Sequence, residues 1–331
     1  MKFGIYGCRH GHIGEFIGEM LALGHEFTGI YETEPDIAGD LAVRYGVPLF
    51  DRGEDLLATH PDILGTSAVN NQKMDILEMC NQEGIHVVAD KPVVTSGKDM
   101  GRLERIVEEG RIQVGMMLTE RLNPPIYTLW KMIQEGKLGD LVSFTIMKPH
   151  KLLAKTRAAW HFSKEENGGI AVDLLVHDID LLRWFTGSEM AACSGYLKKA
   201  GYPQYETFYD SANALIKMEN GVVATLEADW RMPDSYFAYG DGRIFCVGTK
   251  GRAEIRTTGD RKTNGSPYGL WVRDSGEYKR WEEVPAPTTL TRDFLNRIEG
   301  KPGTLITNQE VLRTSRAAIQ MDESMEKITM P

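Results

Sequence analysis

Asp173, His177 and Asp180 stand four and three residues apart in the stretch from Gly168-Gly169 to Gly187. Leu174, Leu175, Ile179, Leu181, Leu182 and Phe185 fill most of the remaining positions. The pattern predicts one apolar helix, entered through the two glycines and stopped by Gly187, with the two acids and the imidazole on roughly one face. Such groups are costly to bury without partners. An imidazole, with an ordinary pKa of about 6.5, suits proton transfer near neutrality. Lys91, in Asp90-Lys91-Pro92, is the second reactive candidate. Pro92 biases Lys91 toward extended geometry and withholds a backbone donor. A base and an ammonium acting on one oxygen could take the proton of a hydroxyl and stabilise the alkoxide. The structural alternatives are a satisfied core histidine and a strand-end surface lysine.

The elements that must position these groups alternate through the first third of the chain. Lys2 to Tyr6 reads as a buried strand, followed by Gly7-Cys8-Arg9-His10-Gly11-His12-Ile13-Gly14 and a helical pattern from Glu15 to Leu23. Strand, glycine-rich turn and helix form the context of a dinucleotide-binding fingerprint, with a pyrophosphate at the helix N-terminus. The usual GxGxxG spacing is altered: its second and third glycines fall on Arg9 and His12. Gly7, Arg9, His10, Gly11, His12 and Ile13 are therefore candidate cofactor contacts. The strand from Phe27 to Tyr31 ends at Glu32. An acid there accepts from the adenosine ribose and repels a 2′-phosphate, so NAD is expected over NADP. Arg9 pulls the other way, because a guanidinium welcomes a phosphate.

Further strands are expected at Asp62 to Ala68 and His86 to Ala89, which puts Asn70, Asp90 and Lys91 at strand ends beside Gly7 and Glu32. Alternating helices and apolar strands indicate an α/β, doubly wound parallel sheet whose ligands bind at the carboxyl ends of the strands. Glu120 to Pro125 marks a change of register, so residues 1–121 are assigned to the dinucleotide-binding domain and 122–331 to a second domain. A loop over Lys151 to Lys164 carries Arg157, Trp160 and His161, which are candidates to line a substrate pocket. Strand-like runs after Gly187, with Asn220-Gly221 as a hairpin turn, indicate an antiparallel sheet. Helices are expected at Thr291 to Gly300 and Asn308 to Lys327.

A net charge of -9 without a Lys/Arg-rich run argues against a nucleic-acid partner. No apolar run reaches membrane-span length, and the N-terminus enters a strand without a signal-peptide pattern. The four cysteines form no CxxC pair, so the expectation is a cytoplasmic protein without a zinc site or disulfide framework.

With these residues located, the chain resembles the glucose-fructose oxidoreductase / inositol dehydrogenase / MocA (Gfo/Idh/MocA) family over nearly its full length. Asp90-Lys91-Pro92 and the GGxxxDxxxHxxD helix are the most specific pieces. The resemblance implies a Rossmann domain followed by an α+β domain with a large open, mostly antiparallel sheet. It also implies an NAD(P)-dependent dehydrogenase or reductase acting on CH–OH groups of a sugar or polyol, with Lys91, Asp173 and His177 at the catalytic positions. The sequence departs from the family at Arg9, at Asp90 where Glu is more usual, and at Lys73 where many members have histidine. An open sheet needs covering, so a homodimer or homotetramer is expected. Two other readings compete: a divalent-metal hydrolase built on Asp173, His177 and Asp180, and a dinucleotide-binding sensor without catalysis. The first sets a cation beside Lys91 and leaves the glycine turn unexplained, so no metal is expected.

Overall fold

Phe3 and Ile5 of strand β1 (Lys2–Cys8) have no exposed surface, the mark of a strand covered on both faces. In the computed structural model, which describes residues 1–262, 264–273 and 276–330, β1 lies inside a six-stranded parallel sheet. The other members are β2 (Glu26–Tyr31), β3 (Leu49–Phe50), β4 (Ile63–Ser67), β5 (His86–Ala89) and β6 (Val114–Met116). They run in the order β3-β2-β1-β4-β5-β6. The chain winds outward from β1 through β2 and β3, then returns to β4 on the other side. The switch point therefore lies between the carboxyl ends of β1 and β4, where an open α/β sheet binds its ligands. Phe16, Ile17 and Met20 of the helix Ile13–Ala22 pack on β1 together with Phe294 and Leu295 of the late helix Leu290–Ile298.

Two compact units result, and neither is continuous in sequence. The first holds Met1–Leu118, Glu165–Gly168 and Thr288–Arg316; the second holds Thr119–Lys164, Gly169–Pro287 and the chain from Ala317 onward.

The second unit is built on a nine-stranded sheet. Its strands are β7 (Leu141–Pro149), β8 (Met190–Lys199), β9 (Ser211–Met218), β10 (Val223–Asp229), β11 (Arg243–Gly248), β12 (Gly251–Arg256), β13 (Tyr268–Arg273), β14 (Lys279–Arg280) and β15 (Met325–Thr329). The order is β14-β13-β12-β11-β7-β10-β9-β8-β15, antiparallel except where β10 meets β7 and β15 meets β8. One face is covered by the helix Leu175–Thr186, with Phe185 stacked on Phe144 of β7. The period-two alternation is clean: Ala212, Ala214, Ile216 and Met218 of β9 are buried, whereas Leu215 is 57% exposed. Among the described residues no helix is long and apolar enough to cross a membrane.

Two elements differ from the sequence expectation. The single helix from Gly169 to Gly187 is split into Ile170–Asp173 and Leu175–Thr186, with Leu174 at φ -98 and ψ -53 between them. Gly187, at φ 59, closes the second piece in the left-handed conformation that glycine adopts without strain. The last helix ends at Ser324, not Lys327, because Met325–Thr329 pairs in parallel with β8. Pairing with a distant strand overrides the local helical pattern there.

Candidate active site

In the first unit the glycine turn closes over the end of β4. Gly7 has φ 89, and a Cβ there would stand 2.6 Å from Ala68 Cβ, so only glycine fits. The Arg9 amide donates to Ser67 O at 2.9 Å, and Ser67 Oγ donates to His10 O at 2.9 Å. Gly11 is open to solvent on the side a Cβ would occupy, and Ile13 is buried as the first residue of its helix. His12, at the N-cap, makes no side-chain cap to that helix.

Glu32 at the end of β2 is 4% exposed and faces the turn. Its carboxylate accepts from the Cys8 amide at 2.6 Å, from Thr33 Oγ1 at 2.9 Å and from the Glu34 amide at 3.2 Å. A carboxylate offers about four acceptor sites, and these three donors hold it fixed at the turn. Arg9 lies 2.5 Å from Glu34 and 3.9 Å from Glu32, so two acids share its charge. A backbone that admits no Cβ, a helix N-terminus without a side-chain cap and a fixed strand-end acid together fit a dinucleotide.

Asp90 brings three of the expected residues together. His12 Nδ1 stands 3.0 Å from one of its oxygens and His10 Nδ1 3.0 Å from the other. Burial alone would raise the Asp90 pKa; His10, His12 and the nearby Lys73 charge outweigh it and hold the carboxyl well below the usual carboxylate range. These three residues are also the one group among the described residues whose donor atoms are close enough to share a metal ion.

Lys73, which the sequence marked only as a departure from its family, is 1% exposed. Its ammonium donates to Asn70 Oδ1 and Asp90 O at 2.8 Å each and to Pro92 O at 3.1 Å. It holds the backbone of the loop that carries Lys91. Asn70 in turn donates to Asn167 O at 2.9 Å. No sequence signal distinguishes such a lysine from an exposed helical one.

In the second unit His177 has a distinctive position. From Ile170 through Arg183 it is the one residue that is not buried. Asp173, four residues earlier, is 5% exposed. Asp180 is not available for chemistry: Arg121 grips it with Nε at 2.7 Å and Nη2 at 2.6 Å, both side chains fully enclosed. Arg157 donates to Leu152 O at 2.6 Å and to Tyr239 Oη at 2.5 Å, and its guanidinium lies over the Trp230 ring. Trp160 is 5% exposed, with the His161 ring stacked on it at 3.6 Å. Of that pair, His161 is the more accessible ring.

Two family models match the chain. One, described as "Oxidoreductase family, NAD-binding Rossmann fold", covers residues 1–117. The other, "GFO/IDH/MocA C-terminal domain", covers residues 126–254. The chain is similar to UDP-N-acetylglucosamine 3-dehydrogenase of Acidithiobacillus ferrooxidans, with 23% identity over 228 residues. That match spans 69% of this chain and 66% of the relative, just under two thirds of its length. It is also similar to myo-inositol dehydrogenase Hyg17 of Streptomyces leeuwenhoekii, at 23% identity over 96% of each chain. A solved structure from Erwinia carotovora atroseptica SCRI1043 has the same fold, with a TM-score of 0.88 at 23% identity over 99% of each chain.

Proposed function

The chain belongs to the Gfo/Idh/MocA family of oxidoreductases, and on that premise we propose that it transfers a hydride between a nicotinamide cofactor and a secondary alcohol or ketone of a sugar, inositol-like polyol or glycoside. When bound, NAD supplies the hydride acceptor. Gly7, Arg9, His10, Gly11, His12, Ile13, Glu32 and Asn70 would hold it, with Asp90 fixing the two histidines. His177 takes the proton of the substrate hydroxyl. Lys91 donates a hydrogen bond to the same oxygen and stabilises the alkoxide charge as it develops. Asp173 orients His177 or a neighbouring substrate hydroxyl, and Arg157 and His161 contact the remainder of the substrate.

The observation that carries this reading is the partial exposure of His177. From Ile170 through Arg183 it is the one residue not buried, and Asp180, the other group at motif spacing, is spent on Arg121. This also counts against a metal held by Asp173, His177 and Asp180. Exposed Leu215 and Phe245 on the second sheet support a homodimer or homotetramer, and four free cysteines suit a reducing cytoplasm. The test is to incubate the pure protein with NAD or NADP and a panel of sugars, inositols and glycosides, following absorbance of the reduced cofactor. Tight cofactor binding with no turnover across the panel would replace this reading with a non-catalytic NAD-binding sensor.

A further inference from the structure

His10 and His12 lie in the turn between β1 and the helix Ile13–Ala22, and Asp90 follows β5. In the sheet β4 stands between β1 and β5, so the three residues meet over its end. Backbone bonds fix both sides of the meeting point. The Arg9 amide donates to Ser67 O and Ser67 Oγ donates to His10 O, at 2.9 Å each. The Asp90 amide donates to Thr66 O, and Lys73 donates to Asp90 O, at 2.8 Å each. Asp90 is 2% exposed, whereas the side chains of His10 and His12 are 32% and 45% exposed. A fixed carboxylate is thus faced by two imidazoles that solvent reaches, which gives an ion a way in.

One nitrogen of each histidine and one Asp90 oxygen all lie within 4.8 Å of one another. Each imidazole stands 3.0 Å from the carboxylate. The two rings meet edge to face, at 73°, which lets both turn a nitrogen toward one point. Tetrahedral bonds of about 2.0–2.1 Å set neighbouring donors roughly 3.3 Å apart, so side-chain torsions suffice to bring this set onto an ion.

The surrounding charges narrow the ion class. Arg9 is occupied by Glu34 and Glu32, but the Lys73 ammonium stands at the main-chain oxygen of Asp90. Mg²⁺ or Ca²⁺, which want several oxygen ligands, would gain one carboxylate and meet that ammonium. Two imidazoles and one carboxylate suit Zn²⁺, Ni²⁺ or Cu²⁺ instead. The sequence accounts for the set: His12 takes the third glycine position of GxGxxG, so the departure that alters the fingerprint also supplies an imidazole.

We propose that His10, His12 and Asp90 form a three-ligand site for a zinc-class divalent ion, with the fourth position left to water. The proposal goes beyond the function above and stands without it, since all three residues belong to the first unit and the ion needs neither cofactor nor substrate. The test uses full-length protein without a histidine tag, stripped with EDTA and without cofactor. Co²⁺, a coloured stand-in for zinc, should bind one ion per chain with the intense visible absorption of a four-coordinate site. Zn²⁺ should displace it, and millimolar Mg²⁺ should not. Changes outside the ligand shell of a metal cost about 10–100-fold in affinity, so His10→Ala and His12→Ala should each weaken Co²⁺ at least tenfold. Both positions are on a solvent-reached turn, and circular dichroism checks that the variants fold. Asp90→Asn should also lose the ion, while His177→Asn should keep its affinity within twofold. Two plain imidazole–carboxylate hydrogen bonds predict no Co²⁺ binding at millimolar concentration, and that result would overturn the site. Displacement by Mg²⁺, full affinity in both folded histidine variants, or loss of the ion in His177→Asn would overturn it equally.

Discussion

Arg121 and Asp180 form a two-pronged ion pair with 1% of either side chain exposed, joining the turn after Leu118 to the helix that carries His177. A buried pair of this kind is expensive to break, because the surviving charge stays buried and unpaired. Asp180→Asn should therefore cost about 3–5 kcal/mol of stability. Activity per folded molecule should be retained. Chemical denaturation paired with active-site titration checks both; a stable variant with abolished turnover would return Asp180 to the reactive set.

The catalytic assignment predicts a different pattern. Lys91→Ala should leave most cofactor affinity and lower turnover by roughly 10²–10⁴. His177→Asn should remove most turnover and spare cofactor binding. Asp173→Asn should also slow turnover, and the Asp173→Asn, His177→Asn double variant should lose less than the sum of the separate losses, as groups serving one step do. Single-turnover rates and cofactor titration measure these quantities. Lower melting temperatures with unchanged rates per folded molecule would make all three residues structural.

Cofactor choice turns on Glu32 and Arg9. Glu32 already accepts from the turn, so Glu32→Ser should weaken NADH and improve NADPH relative to it, while loosening the Cys8 end of β1. Fluorescence titration of both reduced cofactors decides it. Equal or tighter NADPH binding by the unmodified protein would transfer the choice to Arg9.

The Asp178 carboxyl predicts a pH dependence of stability. Its folded pKa is raised to about 7. The unfolded value is about 3.9. Between those values the folded state holds a proton that the unfolded state has released. Stability should therefore fall as pH rises from about 4 to about 7, by on the order of a few kcal/mol, and flatten above. Asp178→Asn should remove that slope and be the more stable form at pH 8. Denaturation midpoints taken across pH 5 to 8 test this, and identical slopes for the two proteins would rule it out.

The uncovered face of the second sheet predicts assembly. Leu215 of β9, Thr225 of β10, Thr145 of β7 and Phe245 of β11 lie side by side in register. Leu215, at 57%, and Phe245, at 37%, are the exposed apolar members of this row. Light scattering should give a dimer or tetramer, and Leu215→Lys with Phe245→Glu should reduce it to monomer. A monomeric unmodified protein at micromolar concentration would contradict the expectation.

The sequence by itself determined what depends on neighbouring residues. Gly7, Glu32, Asp90-Lys91-Pro92 and the Gly168-to-Gly187 stretch are legible because turn geometry, strand ends and helix caps are set by residues close in the chain. Period-two runs after Gly187 likewise announced the second sheet. Tertiary structure decided what depends on partners far away. Leu174 interrupts the helix between Asp173 and His177. Met325–Thr329 becomes a strand because β8 offers an edge. Lys73, marked in the sequence only as a departure from the family, and Lys148 are enclosed by carbonyls and carboxylates from remote segments. Burial and ion pairing are properties of three-dimensional neighbours, so spacing along the chain could not reveal that Asp180 is spent on Arg121 while Asp178 shares the Lys148 ammonium with Glu120.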